Sequence, residues 1–551
     1  MASIGEVNAT ENAIISQSLT EDCPYIIYFG VFFDGTSNNM IQKKAAKSIR
    51  DKHKKRKKQS GHNNDKQSDP DLYERELLEE GDMNVRNGAN RTVTNGGHDG
   101  LEINDKDGYS NIGILHSLYQ GLDKSEYPSE KKVLVYNIYI EGAGTKPIGT
   151  NAWGSLFGTG ESGVAYLVSK ALEIAFHRIS VINKTIPSSV KDLTEVKFDV
   201  YGFSRGATCS RLFAYCIASD QNSLRESDLP CVENLRDSYL SKRFIKGDDI
   251  SLYNSETIVN RNKVMVDMLG IFDTVSSIGG LTISTYRNNT TDFGLYSPQL
   301  RRVKHTYHIC AIDEFRSHFA VTNIGSTING NCGEIYIPGC HSDIGGGYIN
   351  KMESFKIQYA LMSKEYDMLT GEQYDIPIHL QIARSYVSRI DESTNFINYL
   401  RDYGFLGEES NAEESKGLIY FDLDVTRKSE AGYSNIPLEI MIKRSYKDTG
   451  RTQFRSHKVL FEVNKAIKSL FEDNVNTMES LTAVYGKRMF HYPGGRWDSS
   501  QYRALRKYLH FSAKWYEGHD MYIDNNGSVK RIFYNGDRND ATMHTYEEYN
   551  I

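Results

Sequence analysis

The sequence predicts an α/β domain built on a mainly parallel sheet flanked by helices. Three observations carry that reading. Short apolar, β-branched runs recur along residues 25–345, at 25–33, 132–140, 196–201, 264–272, 305–312 and 334–338. Helix-period stretches lie between some of them, and strands alternating with helices argue for parallel pairing. Several of these runs end in a glycine turn carrying Ser, Asp or His. That is where a parallel sheet presents its chemistry.

The first run, YIIYFGVFF over Tyr25–Phe33, is apolar on both of its alternating faces, as a strand covered on two sides must be. It stops at Asp34-Gly35-Thr36, a turn sequence. Residues 40–110 are polar and rich in Asn, Asp, Gly and Lys, and read as a long insertion, at least partly disordered. The strand KVLVYNIYI (132–140) follows and leads into a Gly-rich loop from Gly142 to Gly160. Val164, Leu167, Val168, Ala171, Leu172, Ala175 and Ile179 then recur at i, i+3 and i+4, which predicts a helix over about 161–182.

A strand at 196–201 precedes a helix at about 206–219. Helices are expected near 353–370, 376–402 and 456–474, so the region after 350 reads as mostly helical. Met521–Ile523 and Val529–Phe533 flank Asp524-Asn525-Asn526-Gly527, a hairpin signal. The expected organisation is an N-terminal tail (1–24), a catalytic domain (25–350) interrupted at 40–110, and a C-terminal accessory region (351–551) that could dock a membrane or partner.

Composition sets limits. The chain has 551 residues, 39% apolar and 25% charged, and a mean hydropathy of -0.51. That is enough apolar matter for a sizeable core and excludes wholesale disorder or a collagen-like fibre. The net charge is -6, which does not suggest a nucleic-acid binder. It is unevenly spread: residues 41–58 hold ten Lys or Arg against the single acid Asp51. That segment carries +9 and the remainder -15. A charge run is most often a solvated linker; contact with an anionic surface is the alternative. The seven cysteines have no C-x-x-C spacing, so neither a disulfide framework nor a zinc site is expected. The first 22 residues lack the basic and apolar regions of a signal peptide, and the longest apolar stretches are strand-length, too short to span a bilayer.

Gly202-Phe203-Ser204-Arg205-Gly206 matches G-x-S-x-G between a strand and a helix. There a serine is held on a tight turn at the top of a sheet, and the next N–H faces the developing oxyanion. A nucleophilic serine needs a base and an orienting acid, which follow it in that fold in the order acid, then His. Asp273 ends the run VMVDMLGIF, and His341 follows EIYIPGC. Spacing alone leaves rivals: His305, His308, His318 and His510 for the base, and Asp267 and Asp313 for the acid. The N–H of Arg205 and that of Gly35 or Thr36 are the expected oxyanion donors. No cofactor is required. Asp34 and Asp343 could share a hard cation, but no ligand spacing supports one.

Five segments together resemble one family. They are Phe33–Asn39, Tyr201–Ala207, Gly270–Val275, Ala311–Arg316 and Pro338–Tyr348, in order over residues 29–348. The set is similar to the G-x-S-x-G type VI secretion lipase effectors of the first family, α/β hydrolases long grouped as a domain of unknown function. The resemblance implies an antibacterial phospholipase of A1 or A2 type with Ser204, Asp273 and His341 as its triad. It also implies membrane phospholipid as substrate, a cognate immunity protein, and a spike-tip carrier that delivers the chain from the producer's cytoplasm into a rival's envelope. Asp313, Glu314 and Arg316 carry over as bracing residues. Two other functions stay open: an esterase or thioesterase acting on a soluble substrate, and a non-catalytic binding protein using the basic run.

Overall fold

A computed structural model gives the fold. It describes residues 23–36, 38, 109–143, 163–218, 263–278, 287–288, 295, 300, 302–314, 316, 319–324, 332–348, 351–362, 409–415, 418–429, 431–455, 505, 508–510, 512, 531–534 and 544–545. The basic run at 41–58, nearly all of the 40–110 insertion, and the helices expected at 376–402 and 456–474 lie outside these residues.

Six parallel strands form the central sheet: β1 (Tyr25–Phe33), β2 (Lys132–Ile140), β3 (Glu195–Phe203), β4 (Val264–Phe272), β5 (His305–Ala311) and β6 (Cys332–Ile337). Their spatial order is β2-β1-β3-β4-β5-β6, with every neighbouring pair parallel. The order reverses between β1 and β3. In an open parallel sheet the crevice at such a switch point, beyond the strands' C-terminal ends, is where ligands bind.

The period-2 alternation of β1 divides its side chains between two cores. Ile27, Phe29, Val31 and Phe33 enter one; Ile26, Tyr28 and Phe32 enter the other. Helices α2 (Val164–Thr185) and α3 (Arg205–Ala218) cover the first face. On α2, Leu167, Val168, Ala171, Leu172, Ala175 and Ile179 are all buried, the stripe that the spacing predicted. From Gly206 to Ala218, α3 is buried on all sides, so Arg211 must bond internally; it donates to the carbonyls of Thr322 and Leu295, both at 2.9 Å.

The second face is covered by α1 (Asn111–Leu118) and by segments from late in the chain. These are α5 (Asn435–Thr449), Phe454, and Leu505, Tyr508 and Leu509. Arg451 seals this layer. Its guanidinium donates to Asp267 at 2.6 Å, to Asp199 at 2.8 Å and to the carbonyl of Gly121 at 2.7 Å. The Tyr119 hydroxyl completes the group with a 2.7 Å bond to Asp199. A buried pair that loses one partner typically costs 3–5 kcal/mol, in round figures about 4, so residue 451 is fastened firmly to β3 and β4.

One expected element is corrected. Residues near 353–370 were expected to be helical, but Lys351–Met362 is strand β7. It pairs with β9 (Leu418–Ser429), which also pairs with β8 (Glu409–Ser415), in an antiparallel sheet. The reason is legible: Phe355, Ile357, Tyr359 and Leu361 alternate with Ser354, Lys356, Gln358 and Ala360, a period of 2 and not 3.6. The region after 350 thus holds this sheet as well as α5 among its described residues. The turn of the expected hairpin lies outside the described residues. Ile532–Tyr534 is a strand there, paired antiparallel with His544–Thr545 and parallel with Val321–Thr322.

Candidate active site

Ser204 stands between β3 and α3 at the switch point. Its φ is 61°, in the left-handed region that L-residues avoid. The backbone holds it there: its N–H donates to the Phe272 carbonyl at 3.1 Å, and its carbonyl accepts from Ala207 at 3.1 Å and Val275 at 3.2 Å. The flanking glycines are a steric requirement. A Cβ on Gly206 would strike the carbonyl oxygens of Phe33 and Asp34, and one on Gly202 would strike Ser210 and the Gly206 carbonyl. Without Cβ atoms there, α3 settles against the end of β1.

Asp273 directly follows β4 and also has positive φ, 43°. It is fully buried. Its Oδ1 accepts the Ala311 N–H at 2.9 Å. Its Oδ2 lies 2.6 Å from Nδ1 of His341. His341 opens the short helix α4 (His341–Gly345) after β6 and is 4% exposed. Its ring lies 4.5 Å, centroid to centroid, from that of Phe203, the residue before Ser204, and 5.0 Å edge-on from Phe319.

With Nδ1–H directed at the carboxylate, Nε2 is the basic atom of His341. Burial lowers the pKa of this histidine below its ordinary value, against the opposing pull of Asp273. Burial alone would raise the Asp273 carboxyl; the Arg531 guanidinium and the His341 bond outweigh it and hold the group far below the usual carboxylate range.

The rival residues are engaged elsewhere. Asp267 pairs with Arg451 and Lys304. Asp313 accepts the Gly339 N–H at 2.7 Å. His510 pairs with Asp343 at 2.6 Å and stacks on Tyr348. His305 starts β5 at its far end, and His318 lies outside the described residues. His308, Cys310 and Glu334 form a group of metal-ligating types. Nε2 of His308, however, accepts the Thr274 N–H at 3.0 Å, so its proton sits on Nδ1, facing Glu334 at 2.8 Å. One ring nitrogen braces the turn after Asp273 and the other is engaged with Glu334 of β6. Asp34 accepts from the Gly35 N–H at 2.7 Å and the Tyr139 hydroxyl at 2.6 Å, and Asp343 is held by His510, so the two carboxylates have separate partners.

Sequence reasoning missed part of a supporting layer, Ser512 and Arg531. Glu314, fully buried, accepts the His341 backbone N–H at 3.1 Å, the Arg316 guanidinium at 2.8 Å and the Ser512 hydroxyl at 2.8 Å. Burial raises the Glu314 carboxyl, but Arg316 more than reverses this, and its pKa falls to about 2. Arg531 donates to Asp273 Oδ2 at 2.8 Å, to the Ala311 carbonyl, and to the Phe319 carbonyl at 3.2 Å. Ser512 and Arg531 stand in no recognisable motif, whereas Glu314 and Arg316 belong to one as bracing residues and here form an ion pair. The Cys340 thiol beside His341 is pushed well up by burial and stays protonated, so it is no competing nucleophile.

A parallel α/β sheet with a strained serine at its switch point and a buried Asp–His pair beside it defines the hydrolase class. Residues 99–365 match the family model described as "T6SS, Phospholipase effector Tle1-like, catalytic domain". That stretch is similar to the catalytic domain of this type VI secretion phospholipase effector family. Ser204, Asp273 and His341 fall inside the matched stretch, whereas β1 with Gly35 and Thr36, and Arg531, fall outside it. Among solved structures, one of the Tle1 effector bound to the VgrG spike from the type 6 secretion system is similar at 19% identity, with a TM-score of 0.46. That match covers 95% of this chain and 94% of the other. A crystal structure of an uncharacterized protein from Pseudomonas aeruginosa is similar at 16% identity and a TM-score of 0.31, covering 59% of this chain and 42% of the other. No curated protein matches the chain. No helix among the described residues is long and apolar enough to cross a membrane.

Proposed function

We propose that the chain is a phospholipase of A1 or A2 type in which Ser204 attacks a membrane phospholipid acyl ester. The observation that carries this is the 2.6 Å His341–Asp273 pair beside the positive-φ Ser204 within the matched domain. Ser204 Oγ adds to the ester carbonyl as His341 Nε2 takes its proton. The tetrahedral oxyanion is met by the Arg205 N–H and a donor from the turn after β1. The Gly35 N–H already donates to Asp34 Oδ1, which favours Thr36 as that donor. The tetrahedral intermediate collapses, His341 returns the proton to the leaving lysophospholipid oxygen, and a water activated by the same imidazole frees the fatty acid. Asp273 stays ionised throughout and holds the imidazole tautomer.

Similarity of residues 99–365 to an effector family supports delivery by a type VI spike carrier into a target cell's envelope, with a cognate immunity protein in the producer; these partners are part of the proposal. Fatty-acid release from vesicles of defined sn-1- and sn-2-labelled phospholipid tests it. Release by the wild type and none by Ser204→Ala is expected. Undiminished release by that variant removes Ser204 from the mechanism. Equal turnover of monomeric and micellar esters points to a soluble substrate.

A further inference from the structure

We infer that Arg531 is a positioning residue for this reaction: it balances the buried charge of Asp273 so that His341 rests neutral and ready to accept the serine proton. The inference rests on the triad reading above.

The geometry is specific. Asp273 Oδ2 is shared between His341 Nδ1 at 2.6 Å and an Arg531 nitrogen at 2.8 Å. Arg531 is itself 4% exposed and is anchored by the carbonyls of Ala311 and Phe319. Ala311 also supplies the N–H to Asp273 Oδ1, so one residue of β5 holds the carboxylate by its amide and the guanidinium by its carbonyl. Strand Ile532–Tyr534, which begins at the next residue, pairs with Val321–Thr322, and Val321 bridges to Val275, two residues past Asp273. Arg531 is thereby placed by backbone pairing against the loop that carries the acid.

The chemical consequence follows from burial. A carboxylate removed from water needs a nearby cation. With Arg531 absent, the imidazole of His341 is the next group able to supply one, by taking a proton from solvent. A protonated His341 cannot deprotonate Ser204. The other charged groups around His341 among the described residues are Glu314 and Arg316, which bond each other, and Asp343, which is paired with His510. Glu314 and Arg316 offset each other, and Asp343 is hydrogen-bonded to His510. Arg531 is the cation on the triad carboxylate itself.

The test is the pH profile of kcat/KM for the full chain on a monomeric ester, p-nitrophenyl butyrate, with wild type, Arg531→Gln, Arg531→Met, Arg531→Lys and Ser204→Ala. Arg531→Gln and Arg531→Met should move the acid limb to higher pH by about one unit, which is a several-fold lower kcat/KM at pH 6 with most of the loss recovered at pH 8. Arg531→Lys, which keeps the charge, should leave the limb near its wild-type position. A uniform loss across pH, or an unmoved limb in the neutral variants, overturns the inference. If neither neutral variant folds while Arg531→Lys does, the charge serves folding and the positioning role is likewise overturned. Activity in Ser204→Ala takes down the triad reading and this inference together; an inactive Ser204→Ala with an unmoved limb in Arg531→Gln takes down this inference alone.

Discussion

Ser204 and Asp273 are bound back to back through their main chains. The Ser204 N–H donates to the carbonyl of Phe272, immediately before Asp273, and the N–H of Val275, two residues after it, donates to the Ser204 carbonyl. These two are also the non-glycine residues of positive φ among the described residues. Two unfavourable turns lock each other, and Ser204 and Asp273 are fixed by one hydrogen-bonded unit.

The strain at Ser204 should be measurable. Ser204→Ala keeps the left-handed backbone and loses the hydroxyl. Ser204→Gly relieves the Cβ clash and should be more stable than Ser204→Ala by about 1 kcal/mol. Both should lower kcat by about 10⁴-fold or more. Denaturant melts alongside lipid-product assays check this; equal stability of the two variants would show that the turn stores no strain.

Gly206→Ala should damage fold and activity together. The added methyl meets the carbonyls of Phe33 and Asp34, backbone atoms that have little room to yield. A loss of about 1–3 kcal/mol is expected, with reduced kcat because α3 must withdraw from β1 and carries the Arg205 N–H with it. An unchanged Tm would contradict the close packing of α3 on β1.

The lowered pKa of His341 sets the direction of the wild-type acid limb. The base must be neutral to work, and burial favours its neutral form. The midpoint of the acid limb of kcat/KM should therefore lie below the ordinary histidine value of about 6.5. A midpoint at or above that value would mean that Asp273 overrides burial.

Glu314 links the His341 backbone to acid stability. Its pKa is about 2 in the folded chain, lower than in an unfolded one, so its contribution is complete above the unfolded value of about 4.3 and is lost as pH falls towards the folded value. Glu314→Gln should lower Tm at pH 7 and flatten the pH dependence of stability in that window. Parallel curves for wild type and variant would remove Glu314 from the acid response.

The central sheet could be read closely from the sequence because parallel strands buried on both faces leave continuous apolar runs. Tyr25–Phe33, Lys132–Ile140 and Val264–Phe272 begin and end where those runs do. The Asp–His pairing was legible for a related reason: Asp273 and His341 each follow a strand of one parallel sheet, and such ends converge. Helix α1 was not legible, because only eight residues emerge from a long polar stretch. Strand β7 was mistaken for helix because its alternation begins only at Phe355. The supporting layer was hidden for a deeper reason. Ser512 and Arg531 act through a single side chain each, and no periodicity marks a residue whose partner lies 198 or 258 positions away.

That last separation has a consequence during biosynthesis. At translation rates of about 5–20 residues per second, the ribosome needs on the order of 10–50 s to travel from Asp273 to Arg531. For that interval the nascent chain holds the serine turn and the acid without the guanidinium that stands beside it in the finished fold. The surroundings of Asp273 are thus completed only when a segment made 258 residues later docks, and until then its buried carboxylate lacks that counter-charge.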